Sequence, residues 1–348
     1  MLPTKTVTRL RKIIDTGKDL FILEDEMSKF GTFMIRNVVI VLVVLISGFS
    51  ARAQQDAMFS HYMFNTQSIN PGYVGSREVL SVMSVIRSQW INFDGAPRTQ
   101  TLSINSPLFN DQLGFGFSIL NDKIGPIKST NFALDLAYHL QVTQSGHKLS
   151  FGLKGGGNAF SSDFSMLDLD AGDPDQIDPS FSRDVRRKFL PNVGAGIYYN
   201  TVKWYAGFSV PNILEKEFDQ SQRHYFAIAG ALFDINRDIK LRPSVYLKMT
   251  KNAPVTLDIS AYAVFKDFFW LGGMARTAMG RFIPTGKNGG GLGLMAGINL
   301  NENIAIGYSY DYSVGNTTFK YNGGSHEILL RYDFMFKKKD IIKSPRYF

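Results

Sequence analysis

Five histidines, His61, His139, His147, His224 and His326, are the side chains best suited to metal binding or proton transfer in this 348-residue chain, and their spacing serves neither. No two stand three to five residues apart, as paired zinc ligands do, and the absence of cysteine removes thiolate nucleophiles, sulfur-bound metals and disulfides. Serine, histidine and aspartate all occur, but no GxSxG turn presents a nucleophile. His139 shares the polar side of an alternating segment with Asp135, a setting for a hydrogen-bonding residue rather than a base. The one dense carboxylate group, Asp163, Asp168, Asp170, Asp173, Asp175 and Asp178, could offer oxygen ligands to Ca²⁺. Its spacing is not that of a twelve-residue calcium loop, and the closing glutamate is missing. Arg183, Arg186 and Arg187 follow at once, so residues 160–188 carry opposite charge blocks that suit a protein partner or pair with each other. The residues therefore predict no catalytic group, no metal and no cofactor, and an expectation of binding rather than enzymatic function.

What must position these residues is a chain with 44% apolar, 13% aromatic and 20% charged residues, too apolar to be disordered. Its formal charge of +8 is spread along the length, with no basic block before the C-terminal KKKDIIK, so nucleic acid is not an expected partner. The only continuous apolar run, VVIVLVVLI at 38–46, is too short for a membrane helix. Arg36 precedes it and Ala51-Arg52-Ala53 follows, which reads as a signal peptide over 34–53 cleaved before Gln54. Residues 1–33 are polar and charged, a poor start for such a signal, and read as an upstream extension from a misassigned start codon. Cleavage leaves 295 residues with a formal charge of +5.

Beyond Gln54 the apolar period is two. Phe132, Leu134, Leu136, Tyr138, Leu140 and Val142 alternate with Asn131, Ala133, Asp135, Ala137, His139 and Gln141, and Leu292, Leu294, Ala296, Ile298 and Leu300 alternate with Gly293, Met295, Gly297 and Asn299. Fourteen such segments fall near 79–88, 98–106, 112–121, 130–142, 147–158, 190–200, 202–210, 223–234, 239–250, 254–265, 268–277, 290–300, 303–313 and 325–336. An even number of roughly ten-residue strands, joined alternately by short and long connections with one short exception near Asn252, predicts an all-β transmembrane outer-membrane β-barrel of antiparallel strands. The short links, such as TQSG, NT, KD and NEN, are expected as periplasmic turns. The long ones, among them DKIGPIKST and 160–188, are expected as external loops, with both termini on the periplasmic side. Phe132, Tyr138, Trp204, Phe226, Trp270, Tyr312 and Phe336 are expected in interfacial girdles. Gly194, Gly196, Gly207, Gly293, Gly297 and Gly307 fall on the polar side, where they either relieve crowding or leave room for a guest chain.

Three ordered motifs remain. FSHYMFNTQSINPGYVGS opens the mature chain, RSQWINFDGAPRTQTLSINSP follows, and GSHEILLRYDF with SPRYF closes it. They resemble QYMFNxxxINPAYAG, RxQWxxFxGAPxTxxxSxxxP and the closing segments of the PorP/SprF family of the type IX secretion system of the Bacteroidota, with Gly72 and Val74 in place of the usual alanines. The matching positions are Tyr62, Phe64, Asn65, Asn70, Pro71, Gly75, Arg87, Gln89, Trp90, Phe93, Gly95, Pro97, Ser344, Pro345, Arg346, Tyr347 and Phe348.

The resemblance implies a non-enzymatic protein in the outer membrane of a Gram-negative bacterium. It would help export a secreted cargo, a gliding adhesin with a so-called type B C-terminal domain, and keep it at the cell surface. Partners would be that C-terminal domain, type IX components and outer-membrane lipid. Arg87 and Trp90 would brace the first external loop or contact cargo. The organisation expected is a signal at 34–53, an N-terminal periplasmic segment at 54–78 that plugs the barrel mouth or meets a partner, a barrel at 79–336 and a periplasmic tail at 337–348. A porin or small-solute channel is the rival expectation, with Lys240, Arg242 and Lys248 setting anion preference in the lumen.

Overall fold

The computed structural model describes residues 58–109, 111–143, 146–163, 185–215, 223–251, 253–278, 290–314 and 323–335. The signal segment, residues 1–33, Asp168, Asp170, Asp173, Asp175, Arg183, Phe336 and the tail Ser344, Pro345, Arg346, Tyr347 and Phe348 lie outside the described residues.

Strands β1 (Leu80–Gln89), β2 (Arg98–Leu108), β3 (Leu113–Ile124), β4 (Ile127–Gln141), β5 (Lys148–Ser162), β6 (Val185–Asn200) and β7 (Trp204–Val210) form the first half of the molecule. The second half is β8 (His224–Ala231, resumed at Phe233–Asp234), β9 (Ile239–Thr250), β10 (Thr256–Phe265), β11 (Phe269–Ala278), β12 (Gly290–Asn299), β13 (Ile304–Val314) and β14 (Ser325–Phe334). Each pairs antiparallel with its neighbour, and β1 pairs with β14, Leu80 opposite Phe334 and Gln89 opposite Ser325, so the fourteen strands close into a barrel. Closure satisfies the backbone groups that a bilayer could not. No helix among the described residues is long and apolar enough to cross a membrane, and the crossing falls to the strands.

Side-chain parity sets the two surfaces. In β4, Leu134, Leu136 and Leu140 face out, Leu136 at 59% exposure, while Asp135, Ala137 and His139 face in, Asp135 at 0%. The outer band is apolar as lipid requires, and the inner wall is polar. Leu136→Arg is accordingly expected to cost about 2–4 kcal/mol of assembly stability near the midplane. Loss of the heat-resistant folded band on gels measures it, and normal insertion would mean that the faces are reversed.

Three expectations are corrected. Phe226 and Trp270 do not belong to a girdle; at 6% and 1% exposure they point inward, on the parity of His224 and Ile228 in β8 and of Met274 in β11. Phe132, Tyr138, Trp204 and Tyr312 do face outward. The DKIGPIKST loop is instead the tip of a long hairpin. β3 and β4 pair up to Ile124 opposite Ile127, and Gly125 turns at φ +55°, which a glycine adopts without strain. Residues 185–188 likewise continue β6, Lys188 opposite Phe160, so the charged loop is shorter than 160–188 and Arg186 and Arg187 lie in the strand.

Candidate functional site

Residues 58–78 have no apolar period, and their aromatic and amide side chains cannot make a core alone. The sequence places them as periplasmic chain or as a plug, and the structure puts 58–78 inside the barrel. Ser60, His61, Tyr62, Asn65, Thr66, Gln67, Asn70, Tyr73 and Val74 are all buried there. One helical turn, α1 (Thr66–Ile69), and a 3-10 turn (Pro71–Tyr73) carry the chain across the lumen. Asn70 starts the second turn by accepting the Gly72 N–H at 2.8 Å, and its amide donates to the Ile197 carbonyl of β6 at 2.9 Å. Pro71 at the first position of that turn fixes φ and removes a donor that would have no partner.

At the rim that carries the longer connections, taken as the outer one on the expectation above, the plug is held by charge. The Glu327 carboxylate of β14 accepts the backbone N–H groups of Ser60 at 2.9 Å and His61 at 2.8 Å, and the His61 Nδ1 lies 2.8 Å from it. Arg87 of β1 reaches Glu327 at 3.0 Å, Asp311 of β13 at 2.8 Å and the Ser60 hydroxyl at 2.7 Å, and Ser60 donates in turn to Asp311. Buried charges persist only when paired and hydrogen-bonded in this way. Beside them, Arg276 grips Asp258 through Nε and Nη2 at 2.9 Å, with Lys248 Nζ at 3.4 Å. Lys248 therefore spends its charge on a neighbour, and Lys240 does the same on Asp267 at 2.7 Å. Arg242 lies over the Tyr262 ring.

The middle of the plug is held by aromatic and amide contacts. Phe64 packs on Tyr262 and Trp270 with centroids 5.4 and 5.2 Å away. Tyr62 stacks on Tyr246, and its hydroxyl meets Ser260 Oγ at 2.9 Å and the Ser244 carbonyl at 3.1 Å. Burial pushes the Tyr62 phenol up to about 12, so it stays neutral at physiological pH. Gln67 donates to Asp135 and to the carbonyls of Ile104 and Phe117, each at 3.3 Å. At the inner end Arg77 meets Asp333 at 2.8 Å and Glu78 meets Lys148 at 2.6 Å, just before the chain enters β1.

Of the motif residues, Tyr62, Phe64, Asn65, Asn70, Pro71 and Gly75 thus belong to one plug, and Arg87 reaches in to hold it. Gly75 turns at φ +81°, and a Cβ there would come 2.7 Å from the Gly114 backbone. Gln89, Trp90, Phe93, Gly95 and Pro97 stand apart, at the outer end of β1 and in the loop 90–97. Gln89 donates to the Pro97 carbonyl, Trp90 and Phe93 are exposed, and the Gly95 carbonyl accepts from Gly125 of the neighbouring hairpin tip. Sequence reasoning missed Glu327, Asp311, Asp258 and Arg276. The signal available was their parity, since each is a charge on the inward side of a lipid-facing strand. His139 is hydrogen-bonded to Ser150 Oγ at 2.7 Å, and no group of metal-ligating side chains occurs among the described residues.

The sequence profile of the family described as type IX secretion system membrane protein PorP/SprF matches residues 51–332. No curated protein matches the chain. Among solved structures, Omp33 of Acinetobacter baumannii, an outer membrane protein, aligns with TM-score 0.45 at 7% identity, over 74% of this chain and 98% of its own. The CymD monoaromatic hydrocarbon channel aligns with TM-score 0.44 at 10% identity, over 80% and 93%. The KdgM porin aligns with TM-score 0.35 at 10% identity, over 73% and 99%.

Proposed function

The chain belongs to the type IX secretion system membrane protein PorP/SprF family, and from that membership we propose that this outer-membrane barrel is a closed docking platform for one exported partner. It helps export that partner and then holds it at the cell surface by noncovalent recognition. The partner's C-terminal domain, of the type B class carried by gliding adhesins, is the part held, and type IX components meet the inner end. No covalent step is needed, and no residue is assigned a catalytic role.

The observation that carries this reading is the plug. A solute channel needs an open lumen, whereas here 58–78 crosses the lumen and is pinned by the Glu327, Arg87 and Asp311 cluster. Lumen cations that could select anions are also committed, Lys248 to Asp258 and Lys240 to Asp267. What the barrel offers is its outer rim, where β5 and β6 end at Ser162 and Val185 and the charged sequence 164–184 joins them. Removing 164–184 is expected to leave a folded, heat-resistant barrel while cargo is lost from the cell surface to the medium. Affinity purification from detergent-solubilised outer membranes, with surface display of the cargo, measures this. Unchanged display would take the loop out of the account, and a steady conductance of the unaltered protein in planar bilayers would favour the channel.

A further inference from the structure

On the outward face of the barrel, three cations stand in a row where the apolar band ends. Arg98 at the start of β2 is paired with Lys123 near the end of β3, and Lys123 with Lys128 near the start of β4. All three are exposed, and they share the outward parity of Leu102, Phe115 and Phe132 on the same strands. Among the described residues none of the three has an ion pair or a side-chain hydrogen bond. The neighbouring carboxylate, Asp122, is turned to the lumen side, where it accepts from the Thr99 hydroxyl at 2.6 Å. Asp163, two residues past the Ser161 that stands opposite Lys128, is ion-paired with none of them. Like charges directly opposite one another on one face destabilise a sheet. Neutral residues bound the row, Ser88 opposite Arg98 on one side and Ser161 on the other.

Toward the membrane the same face changes in two steps. Gln100, Asn121 and Thr130 are the next outward residues and pair in the same order, with Thr130 donating to Asn121 at 3.1 Å. Leu102, Ile119 and Phe132 follow and begin the apolar band. Cation, then amide and hydroxyl, then hydrocarbon is the order in which a phosphorylated lipid presents its phosphate, its polar linkages and its acyl chains to a wall. We propose that this strip seats a phosphorylated glycolipid of the outer leaflet, its phosphate held by Arg98, Lys123 and Lys128 and its polar linkages by Gln100, Asn121 and Thr130. Neighbouring strands lie about 4.8 Å apart, so the three cations span about 10 Å, within reach of one phosphate from long, flexible side chains. The guanidinium can bind it through two parallel N–H groups and the lysines as point charges. Phosphate supplies the countercharge that the row lacks, and the lipid ties β2, β3 and β4 to the outer leaflet beside the loop 90–97. The proposal rests on the barrel and its membrane, and not on the docking reading above.

The protein, purified folded in detergent, is titrated with lipid A carrying its phosphate and with the same lipid after the phosphate is removed, and bound lipid is counted by native mass spectrometry. The parent is expected to take up the phosphorylated form about tenfold more tightly. Arg98→Ser, Lys123→Ser and Lys128→Ser together are expected to bring the two forms to within about twofold of each other. Lys203→Gln, Arg237→Gln and Lys266→Asn, which remove the same charge from the inner turns, are expected to keep the parent's preference. Heat-modifiable mobility shows that each barrel is folded. Should the triple variant fail to fold, Lys123→Ser alone is expected to cut the preference about threefold. Equal binding of the two lipids by the parent, or a preference that survives loss of the cations, overturns the proposal. Loss of the exported partner from the cell surface in the triple variant, with the lipid preference intact, would give the row to that partner and overturn it as well.

Discussion

Replacing Glu327 with alanine is expected to unseat the plug and turn a silent barrel into a conducting one. The carboxylate is fully buried and accepts from the Ser60 and His61 backbone, the His61 ring and Arg87. Its loss leaves two buried N–H groups without their acceptor and takes a countercharge from a buried guanidinium, although Arg87 keeps the Ser60 hydroxyl at 2.7 Å and Asp311 at 2.8 Å. Breaking a buried pair from one side costs about 3–5 kcal/mol. At about 1.4 kcal/mol per tenfold, that shifts docking of the outer plug segment by roughly two to three and a half orders of magnitude. Glu327→Gln keeps the shape and one acceptor but not the charge, so it is expected to fall between. Single-channel recording and protease cleavage near Ser60 give the readouts, and unchanged heat-modifiable mobility shows that the strands still close. An alanine variant as silent and protease-resistant as the parent would mean that the plug stands without this cluster.

The strands were legible because lipid outside and a polar lumen inside impose period two on every segment. β9 begins and ends at the expected residues, 239 and 250, and most others shift by one to three. Misreadings occur where that rule weakens. Phe226 and Trp270 are aromatic near strand ends, which suits a girdle, but the plug gives the inner wall an apolar partner of its own, and Trp270 packs on Phe64 and His61. The plug itself was legible only as motif and turn chemistry. Its partners stand up to 267 residues away, as Glu327 does from Ser60, and nothing local in either stretch announces the other. The inner-wall glycines were readable as a pattern, with two meanings open. Gly196 and Gly207 face the Asn70 amide, which gives them the second meaning, room for a guest chain.

That room supports the second large prediction, an alanine at Gly152. A Cβ there would lie 2.1 Å from the Gly72 nitrogen and 2.3 Å from the Pro71 carbonyl carbon, so backbone meets backbone and no rotamer change relieves it. Overpacking of this kind costs about 1–3 kcal/mol or more, and the plug is the part free to move, since β5 is fixed on both sides by its neighbours. Gly152→Ala is expected to assemble normally while releasing the 70–74 turn, seen as new protease cleavage within 58–78 and as conductance. Gly155→Ala, three residues along the same strand, where a Cβ meets nothing within 4 Å, is the matched control and should behave as the parent. The two routes are independent, one removing an attraction at the outer end and the other inserting a clash at the inner half. If both open the barrel and the Gly155 variant does not, the plug moves as a unit that the wall was shaped to hold. If Gly152→Ala stays closed and resistant like Gly155→Ala, the segment does not occupy the lumen in the membrane, and the closed-platform reading falls with it.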